Sequence, residues 1–329
     1  MIARRIALAL ALSLAVESAR AADPAPLQLE RTISLPDVAG RIDHASIDLR
    51  RNRLFVAEFG NGTVDVVDLG TGKRVARIPG LMEPQGIAYV QASDRIVVAS
   101  GGDGTARIFR AEDFAPAGVI DLGDDADNVR VDPRSGNVLI GHGDGGIAIV
   151  DPVPASRVAD IELSAHPEGF QLQPGTRRIF VNLPDARRIG VLDLESRRQV
   201  ASWTIPDLKS NFPLAVDEGG ALLATVFRTP PNLVLLDPKT GSVVAKLETC
   251  GDADDVFFDA RRKRIYVSCG EGAVDTFQSD SASTRLLGRV TTPRGGRTSL
   301  FVPELDRLFV TVRAGAGSDA SILVFRPLP

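Results

Sequence analysis

The sequence contains little of several residue types on which common active sites depend. Its 329 residues include two Cys, one Trp and three His. It has no CxxC pair, no CxxCH haem-attachment sequence and no Cys/His cluster with zinc spacing, so covalent haem is not expected. A GxSxG nucleophile elbow is also missing, and no Ser lies in a recognisable triad context. The sequence therefore carries no complete catalytic motif, and whether the protein is an enzyme stays open.

Long apolar runs are missing after the first 20 residues, which argues against an integral membrane protein. The chain has 42 acidic and 38 basic residues and is 44% hydrophobic, a balance that argues against a disordered chain. Its 31 Gly and 21 Pro favour many short strands joined by tight turns, with little room for long helices. The composition predicts an all-β globular protein.

The first 21 residues resemble a cleavable signal peptide. Arg4 and Arg5 precede an apolar stretch over residues 6–16, and Ala19 and Ala21 occupy the positions that signal peptidase requires. A buried helix of the folded domain is the alternative, but the stretch is short and basic at its front. We expect residues 1–21 to be removed and residues 22–329 to form a periplasmic or secreted protein.

The only two cysteines, Cys250 and Cys269, lie in one short segment of the chain. In an oxidising compartment such an isolated pair is more typical of a disulfide than of a metal or redox site. The sequence therefore predicts a disulfide bond between them.

One strand pattern recurs along the whole mature chain. The seven copies start 41–43 residues apart and read LFVA from Leu54, IVVA from Ile96, VLIG from Val138, IFVN from Ile179, LLAT from Leu222, IYVS from Ile265 and LFVT from Leu308. A period near 42 residues, with several short strands per unit, is typical of a β-propeller with four strands per blade. We predict a single domain of seven four-stranded antiparallel blades, whose strands are called A to D from the central channel outward.

The seventh unit is too short for an outer strand, because only two strands fit between Leu308 and the end of the chain. Residues 27–35, LQLERTISL, resemble the outer strands of other units and precede the first inner strand as those do. Pairing residues 27–35 with residues 321–325 would close the ring and cover its open edge. The N-terminal strand of the mature chain is therefore predicted to complete the seventh blade.

The repeated [LI][FY]V[TASN] strand, with third strands such as VLDLES, LLDPKT and VVDLGT, resembles the YVTN-type repeats of bacterial seven-bladed propellers. The resemblance covers the whole mature chain and extends to lactonase-type propellers, amine dehydrogenase heavy chains and cytochrome d1-like domains. It implies a fold more than an activity, so no catalytic residue is carried over. Trp203 is the only Trp, which disfavours Trp-Asp repeat propellers and Trp-docked propellers that hold pyrroloquinoline quinone.

Sorting residues by turn predicts an acidic face and a basic face. The D-to-A and B-to-C connections collect carboxylates and all three His, while the other turns collect Arg and Lys. The candidate ligand residues lie near the channel mouth on the acidic face: His44, Gln85, Asp127, Asn128, His166, Glu168, Asn211, Asp254 and Asp255, with Arg297 at the seventh entrance. The alternative is that these polar residues only cap strand ends.

A metal site is the sharpest hypothesis for the acidic face, because His and carboxylates are common metal ligands. His166 and Glu168 combine most easily with Asp127 or Asn128 of the preceding blade. His44 could approach only in a narrow channel, and His142 is predicted to lie further from the axis. The acidic loops GDDADNVRVD and GDADDVFFD could also bind a cation, or could be neutralised by Arg294 and Arg297.

These features favour an exported propeller that binds a small molecule, a metal or a periplasmic protein partner on its His- and carboxylate-bearing face. The alternative is a metal-assisted, lactonase-like hydrolase or lyase with its site at the channel mouth, where His166 or Glu168 could transfer a proton. The cofactor is unknown, with a divalent metal as the candidate. A weaker idea is polyanion binding by the basic face, but no aromatic residues are interleaved there, so nucleic acid is not expected to be the partner.

Overall fold

A computed structural model of the protein describes residues 25–280, 283–315 and 317–329, so the predicted signal peptide lies outside the described residues. Within these ranges, 28 strands form seven four-stranded antiparallel sheets, and one short 3-10 turn spans Phe59–Asn61. The predicted all-β propeller of seven four-stranded blades is confirmed. In the described part of the chain, no helix is long and apolar enough to cross a membrane.

Six blades are continuous in sequence. Blade one contains β2 (Ala45–Asp48), β3 (Arg53–Glu58), β4 (Thr63–Asp68) and β5 (Lys73–Ile78), and blade two contains β6 (Pro84–Val90), β7 (Arg95–Ser100), β8 (Thr105–Arg110) and β9 (Pro116–Asp121). Blade three contains β10 (Val129–Val131), β11 (Val138–His142), β12 (Gly146–Asp151) and β13 (Ser156–Glu162), and blade four contains β14 (Phe170–Leu172), β15 (Arg178–Leu183), β16 (Arg188–Asp193) and β17 (Arg198–Trp203). Blade five contains β18 (Lys209–Val216), β19 (Leu223–Thr229), β20 (Pro231–Leu236) and β21 (Val243–Glu248), and blade six contains β22 (Ala253–Asp259), β23 (Arg264–Cys269), β24 (Ala273–Ser279) and β25 (Thr284–Thr291).

The seventh blade contains both ends of the described chain. Its strands are β26 (Ser299–Val302), β27 (Arg307–Val312), β28 (Ala320–Pro327) and, as the outer strand, β1 (Leu27–Leu35). The β1–β28 pair has a register shift between Leu29 and Arg31, and each of the other six outer pairs also carries one. Such bulges increase the local twist of a strand pair. The N-terminal strand thus has the local geometry of the other outer strands.

The hydrophobic core is divided into seven clusters, each between two neighbouring blades. Between blades one and two, for example, Phe55 and Val66 pack with Ile87 and Phe109. The cluster between blades seven and one includes Ile33 and Leu35 of β1. Burying one such side chain stabilises the fold by roughly 1.5–3 kcal/mol, so the contacts between neighbouring sheets are a large source of stability.

Aspartates cap the turns that follow several inner strands. Asp48, the last residue of β2, accepts hydrogen bonds from the Arg50 and Arg51 backbone N–H groups. Asp132 accepts one from the Arg134 N–H in the same way, directly after β10 ends at Val131. These side chains stabilise the A-to-B turns, since Asp oxygens readily bond backbone N–H groups two residues ahead.

Arginines of the predicted basic face form ion pairs that connect neighbouring blades. Arg51 contacts Asp48 of its own blade and makes two hydrogen bonds of 2.8 Å to Asp94 of the next blade. Arg262 repeats this arrangement with Asp259 and Asp306. Part of the positive charge on this face is therefore neutralised by internal ion pairs.

The predicted disulfide between Cys250 and Cys269 is present. It joins the connection before β22 to the last residue of β23, and the Cys250 N–H donates a 2.9 Å hydrogen bond to the buried carboxylate of Asp275. The bond therefore anchors the start of the acidic loop that leads into the inner strand of blade six.

Ring closure by the N-terminal strand is a prediction that truncation can test. A chain that begins at Pro36 lacks β1 and exposes the edge of β28, so we expect a lower unfolding temperature and concentration-dependent aggregation. Thermal unfolding and light scattering would be compared with a control chain that begins at Ala22. Equal stability and solubility of the two chains would contradict the closing role of β1.

Candidate functional site

The central channel contains a cavity of about 550 Å³ that is lined by inner strands and loops from all seven blades. Its volume is within the usual range for small-molecule sites. Seven carboxylates line it: Asp43, Asp125, Asp127, Glu168, Glu218, Asp254 and Asp255. Four arginines oppose them: Arg41, Arg130, Arg228 and Arg297. The cavity is therefore polar and carries an excess of acidic groups.

Nine of the ten predicted ligand residues line this cavity: His44, Gln85, Asp127, Asn128, His166, Glu168, Asp254, Asp255 and Arg297. Asn211 lies instead in a fully buried amide network, where its Nδ2 donates to Asn182 Oδ1 at 2.7 Å and to the Arg188 carbonyl at 3.0 Å. These contacts use the Asn211 amide to join blades four and five.

Three side chains converge at one point of the channel. Ligand atoms of Asp127, His166 and Glu168 all lie within 4.8 Å of one another. Backbone hydrogen bonds hold these residues at the strand entrances: the Asp127 N–H donates to Gly141 O at 2.9 Å, and the Glu168 N–H donates to Asn182 O at 3.0 Å. The predicted combination of blades three and four is therefore brought together.

The imidazole of His166 has a fixed orientation. Its Nδ1 lies 2.6 Å from the carbonyl oxygen of Gly143, and a carbonyl can only accept, so Nδ1 carries the proton and donates. The neutral ring then has its lone pair on Nε2. Metal-binding histidines commonly donate their second nitrogen to a carbonyl in this way.

Asp127 is buried and incompletely satisfied. Its Oδ2 accepts a hydrogen bond from Asn128 Nδ2 at 3.3 Å, whereas its Oδ1 has no hydrogen-bond partner in the described part of the chain. The side chain belongs to a residue that is only 8% exposed. A buried oxygen without a partner costs free energy, so an additional positive group at this point would stabilise the site.

The electrostatics of the site disfavour two neighbouring negative charges. Burial, followed by the charges of Glu168 and Asp43, raises the pKa of Asp127 to about 8. Burial and the charge of Asp254 raise the pKa of Glu168 to about 7. Both carboxyls therefore retain protons near neutral pH unless a cation enters between them.

His44 is held as a cation at the entrance of the inner strand of blade one. Its ring nitrogens lie 3.6 Å from Asp43 and 3.7 Å from Asp255. Burial lowers its pKa, but Asp255, Asp43 and Asp127 together outweigh burial and raise the pKa to about 10. His44 therefore lines the channel as predicted, but it is protonated at neutral pH and is not available as a neutral metal ligand.

The two acidic loops behave differently. In the loop of blade six, Asp254 pairs with Arg228 at 2.5 Å and with Arg297 at 2.8 Å, and Arg297 also contacts Asp252 at 3.2 Å. Of the two predicted alternatives for this loop, cation binding or neutralisation by arginine, the contacts of Arg297 therefore favour neutralisation. In the loop of blade three, Asp127 is left to face His166 and Glu168.

His142 lies outside the cavity. Its Nε2 is 3.1 Å from Asp160 and 3.3 Å from Arg157, within its own blade. Burial, with the charges of Arg157 and His166, lowers its pKa to about 4. Its position away from the channel agrees with the sequence-based expectation.

Sequence sorting placed Arg297 at the channel but missed Arg41, Arg130 and Arg228. Arg228 stacks on the Phe212 ring at 3.7 Å, and Arg130 lies in the inner strand of blade three. The alternation in NVRVD could have signalled Arg130, because one side of an inner strand must face the channel. Arg228 gave no such signal, since it sits at the end of a second strand.

No family model and no curated protein matches this chain. Among solved structures, it is similar to a chain of hydrazine synthase from Kuenenia stuttgartiensis, with a TM-score of 0.76 and 17% identity over 83% of this chain and 93% of that one. It is also similar to a chain of a mitotic checkpoint complex, with a TM-score of 0.78 and 14% identity over 98% of both chains. At these identities the likeness shows the fold alone.

The pKa of His44 predicts a specific pH dependence of stability. The folded pKa of about 10 exceeds the ordinary value of 6.5, so the contribution of His44 is complete below about pH 6.5 and is lost as the pH rises through 10. The His44→Gln variant should therefore be clearly less stable than the wild type at pH 7, and the difference should shrink by pH 10. Urea unfolding at both pH values measures this.

The His142→Gln variant is the matched control for this experiment. Its folded pKa of about 4 keeps His142 neutral throughout this window, so its stability difference from the wild type should not change between pH 7 and pH 10. A constant difference for His44→Gln as well would show that His44 is not held as a cation.

Proposed function

We propose that this protein is an exported, YVTN-type propeller that binds a divalent transition-metal cation at the mouth of its central channel. Asp127, His166 and Glu168 are the proposed ligands, and residues 22–329 are proposed to form one domain. The main support for this proposal is that one ligand atom from each of these three side chains lies within 4.8 Å of the other two. The leader-like residues 1–21 and the disulfide are compatible with export.

The donor set suits a particular class of metal. One imidazole nitrogen and two carboxylates match Zn²⁺ or Mn²⁺ better than Ca²⁺, which prefers oxygen ligands alone. Seven carboxylates against four guanidiniums and the cationic His44 leave an excess of two acidic groups in the cavity, which favours a cation of charge two. Three protein ligands leave at least one coordination position for a small molecule, which is typical of zinc sites that bind substrate or water.

Metal content and affinity test the proposal. Tag-free mature protein should contain about one metal ion per chain by inductively coupled plasma mass spectrometry, and calorimetric titration with Zn²⁺ and with Mn²⁺ should give the same stoichiometry. Each of His166→Ala, Glu168→Gln and Asp127→Asn removes one ligand, so the affinity should fall at least about 100-fold. Circular dichroism would verify that each variant is folded.

Two controls make the result specific. Asp144→Asn changes an exposed carboxylate, and His142→Gln changes the histidine outside the cavity, so neither should alter metal affinity. Affinity should also rise between pH 6 and pH 8, because Asp127 and Glu168 must lose protons with pKa values of about 8 and 7. Absence of metal, or equal affinity in all variants, would refute the site.

A metal-assisted hydrolase or lyase of the lactonase-like kind is the second candidate. The open coordination position and the cavity of about 550 Å³ leave room for a substrate beside the proposed ligands. A bound divalent metal would supply a polarised carbonyl or an activated water. His44, as a cation with a pKa of about 10, can donate a proton to a leaving group but cannot act as a general base near neutrality.

Hydrolysis of five- and six-membered lactones, followed with a pH indicator, tests this candidate. Zn²⁺- or Mn²⁺-loaded protein should open at least one lactone faster than chelator-treated protein. The His44→Gln variant should lower kcat at least about tenfold while it retains metal. Metal-loaded protein without turnover on the panel would leave metal binding as the function and reject the lactonase candidate.

A further inference from the structure

Arg130 is the only channel arginine in the described ranges without a carboxylate at ion-pair distance. Arg41 pairs with Asp43, Arg228 with Asp254, and Arg297 with Asp252 and Asp254. Arg130 instead donates from Nη1 to the Val129 carbonyl at 2.8 Å, and its guanidinium carbon lies 5.7 Å from the Phe170 ring centroid. It is therefore held in place without neutralisation.

An uncompensated cation in such a site is costly. Burial lowers the pKa of Arg130, and the more distant charges of Asp255 and Asp127 only partly oppose this effect. A buried charge without a close partner destabilises the fold, so an anion that pairs with Arg130 would recover that loss. Guanidinium groups pair with carboxylates through two parallel hydrogen bonds.

Arg130 is also close to the proposed metal site. It lines the same cavity as Asp127, His166 and Glu168, and the charge of Asp127 acts on its guanidinium group. One small molecule could therefore reach both. A divalent ion with two carboxylate ligands has no net charge, so metal-bound Asp127 would no longer offset the charge of Arg130, which has no carboxylate at ion-pair distance.

We propose that the channel binds a small monocarboxylate that also carries a neutral oxygen donor, with the carboxylate on Arg130 and the second oxygen on the metal. This inference rests on the proposed metal site. In this proposal Arg130 makes the channel prefer anionic over neutral ligands, and Asp127, His166 and Glu168 bind the metal.

Three probe molecules of similar length separate the two contacts: 4-hydroxybutyrate carries both groups, butyrate lacks the hydroxyl, and 1,4-butanediol lacks the carboxylate. Their affinities for Zn²⁺-loaded protein would be measured by saturation-transfer nuclear magnetic resonance. We expect 4-hydroxybutyrate to bind most tightly, and Arg130→Gln to weaken its binding at least about tenfold. Arg130→Gln should not change the affinity for butanediol.

Two further variants test whether the effect of Arg130→Gln comes from the lost charge or from a change in the fold. Arg130→Lys keeps the charge and should retain part of the 4-hydroxybutyrate affinity, whereas Arg50→Gln changes an exposed arginine in an A-to-B turn and should change nothing. Zn²⁺ affinity is measured in every variant and should stay within about threefold of the wild type, since Arg130 is not a ligand.

The outcomes distinguish the two proposals. Zn²⁺ binding together with equal 4-hydroxybutyrate affinity in wild type and Arg130→Gln would overturn only the anion inference. That inference would also be overturned if butyrate or butanediol bound the Zn²⁺-loaded protein as tightly as 4-hydroxybutyrate. Failure of the wild-type protein to bind Zn²⁺ or Mn²⁺ would overturn the metal site and, with it, the inference about Arg130.

Discussion

The apolar contact between neighbouring sheets is the constraint on which the rest of the structure depends. Each of the seven clusters joins two blades, as Phe180 and Trp203 of blade four do with Leu214 and Phe227 of blade five. Because every blade is fixed against two others, the entrances of the inner strands are fixed relative to one another. Side chains distant in sequence, such as His44 and Asp255, then meet in the channel without any contact that is local in sequence.

This arrangement lets the channel hold charges that an ordinary protein core would not accept. Hydrophobic packing between the sheets stabilises the fold, so the channel can accept polar groups that lack a close partner. Asp254 is neutralised by two arginines, and His44 is neutralised by two aspartates. Asp127 and Arg130 have no such close partner of opposite charge, and both border the same cavity. Two polar groups without close partners at such neighbouring positions are better suited to a ligand than to the fold.

The sequence predicts the fold well because its signal is periodic. An apolar strand pattern repeated every 41–43 residues identifies the blades, and the turn residues between the strands identify the hairpins. The outer position of residues 27–35 follows from the missing strand of the last unit. Strand ends are less predictable from the apolar pattern alone, since the turn after β10 depends on a side-chain hydrogen bond of Asp132.

The site was predictable in composition but not in pairing. Proximity to the channel follows from position in the repeat, so Asp127, His166 and Glu168 could be grouped in advance. Charge state depends on neighbours from other blades, and nothing local to His44 indicates that Asp255 lies beside it. Asn211 shows the same limit, because its burial against Asn182 accompanies a register shift in β18 that only the folded sheet reveals.

The pairing of β1 with β28 has a mechanical consequence. Leu27 lies opposite Pro327, so the two ends of the described chain emerge side by side from one antiparallel strand pair. A force that separates these ends loads the interstrand hydrogen bonds one after another, because such bonds run perpendicular to the strands. Tension applied at these two ends would therefore peel β1 from β28, beginning at the pair of Leu27 and Pro327.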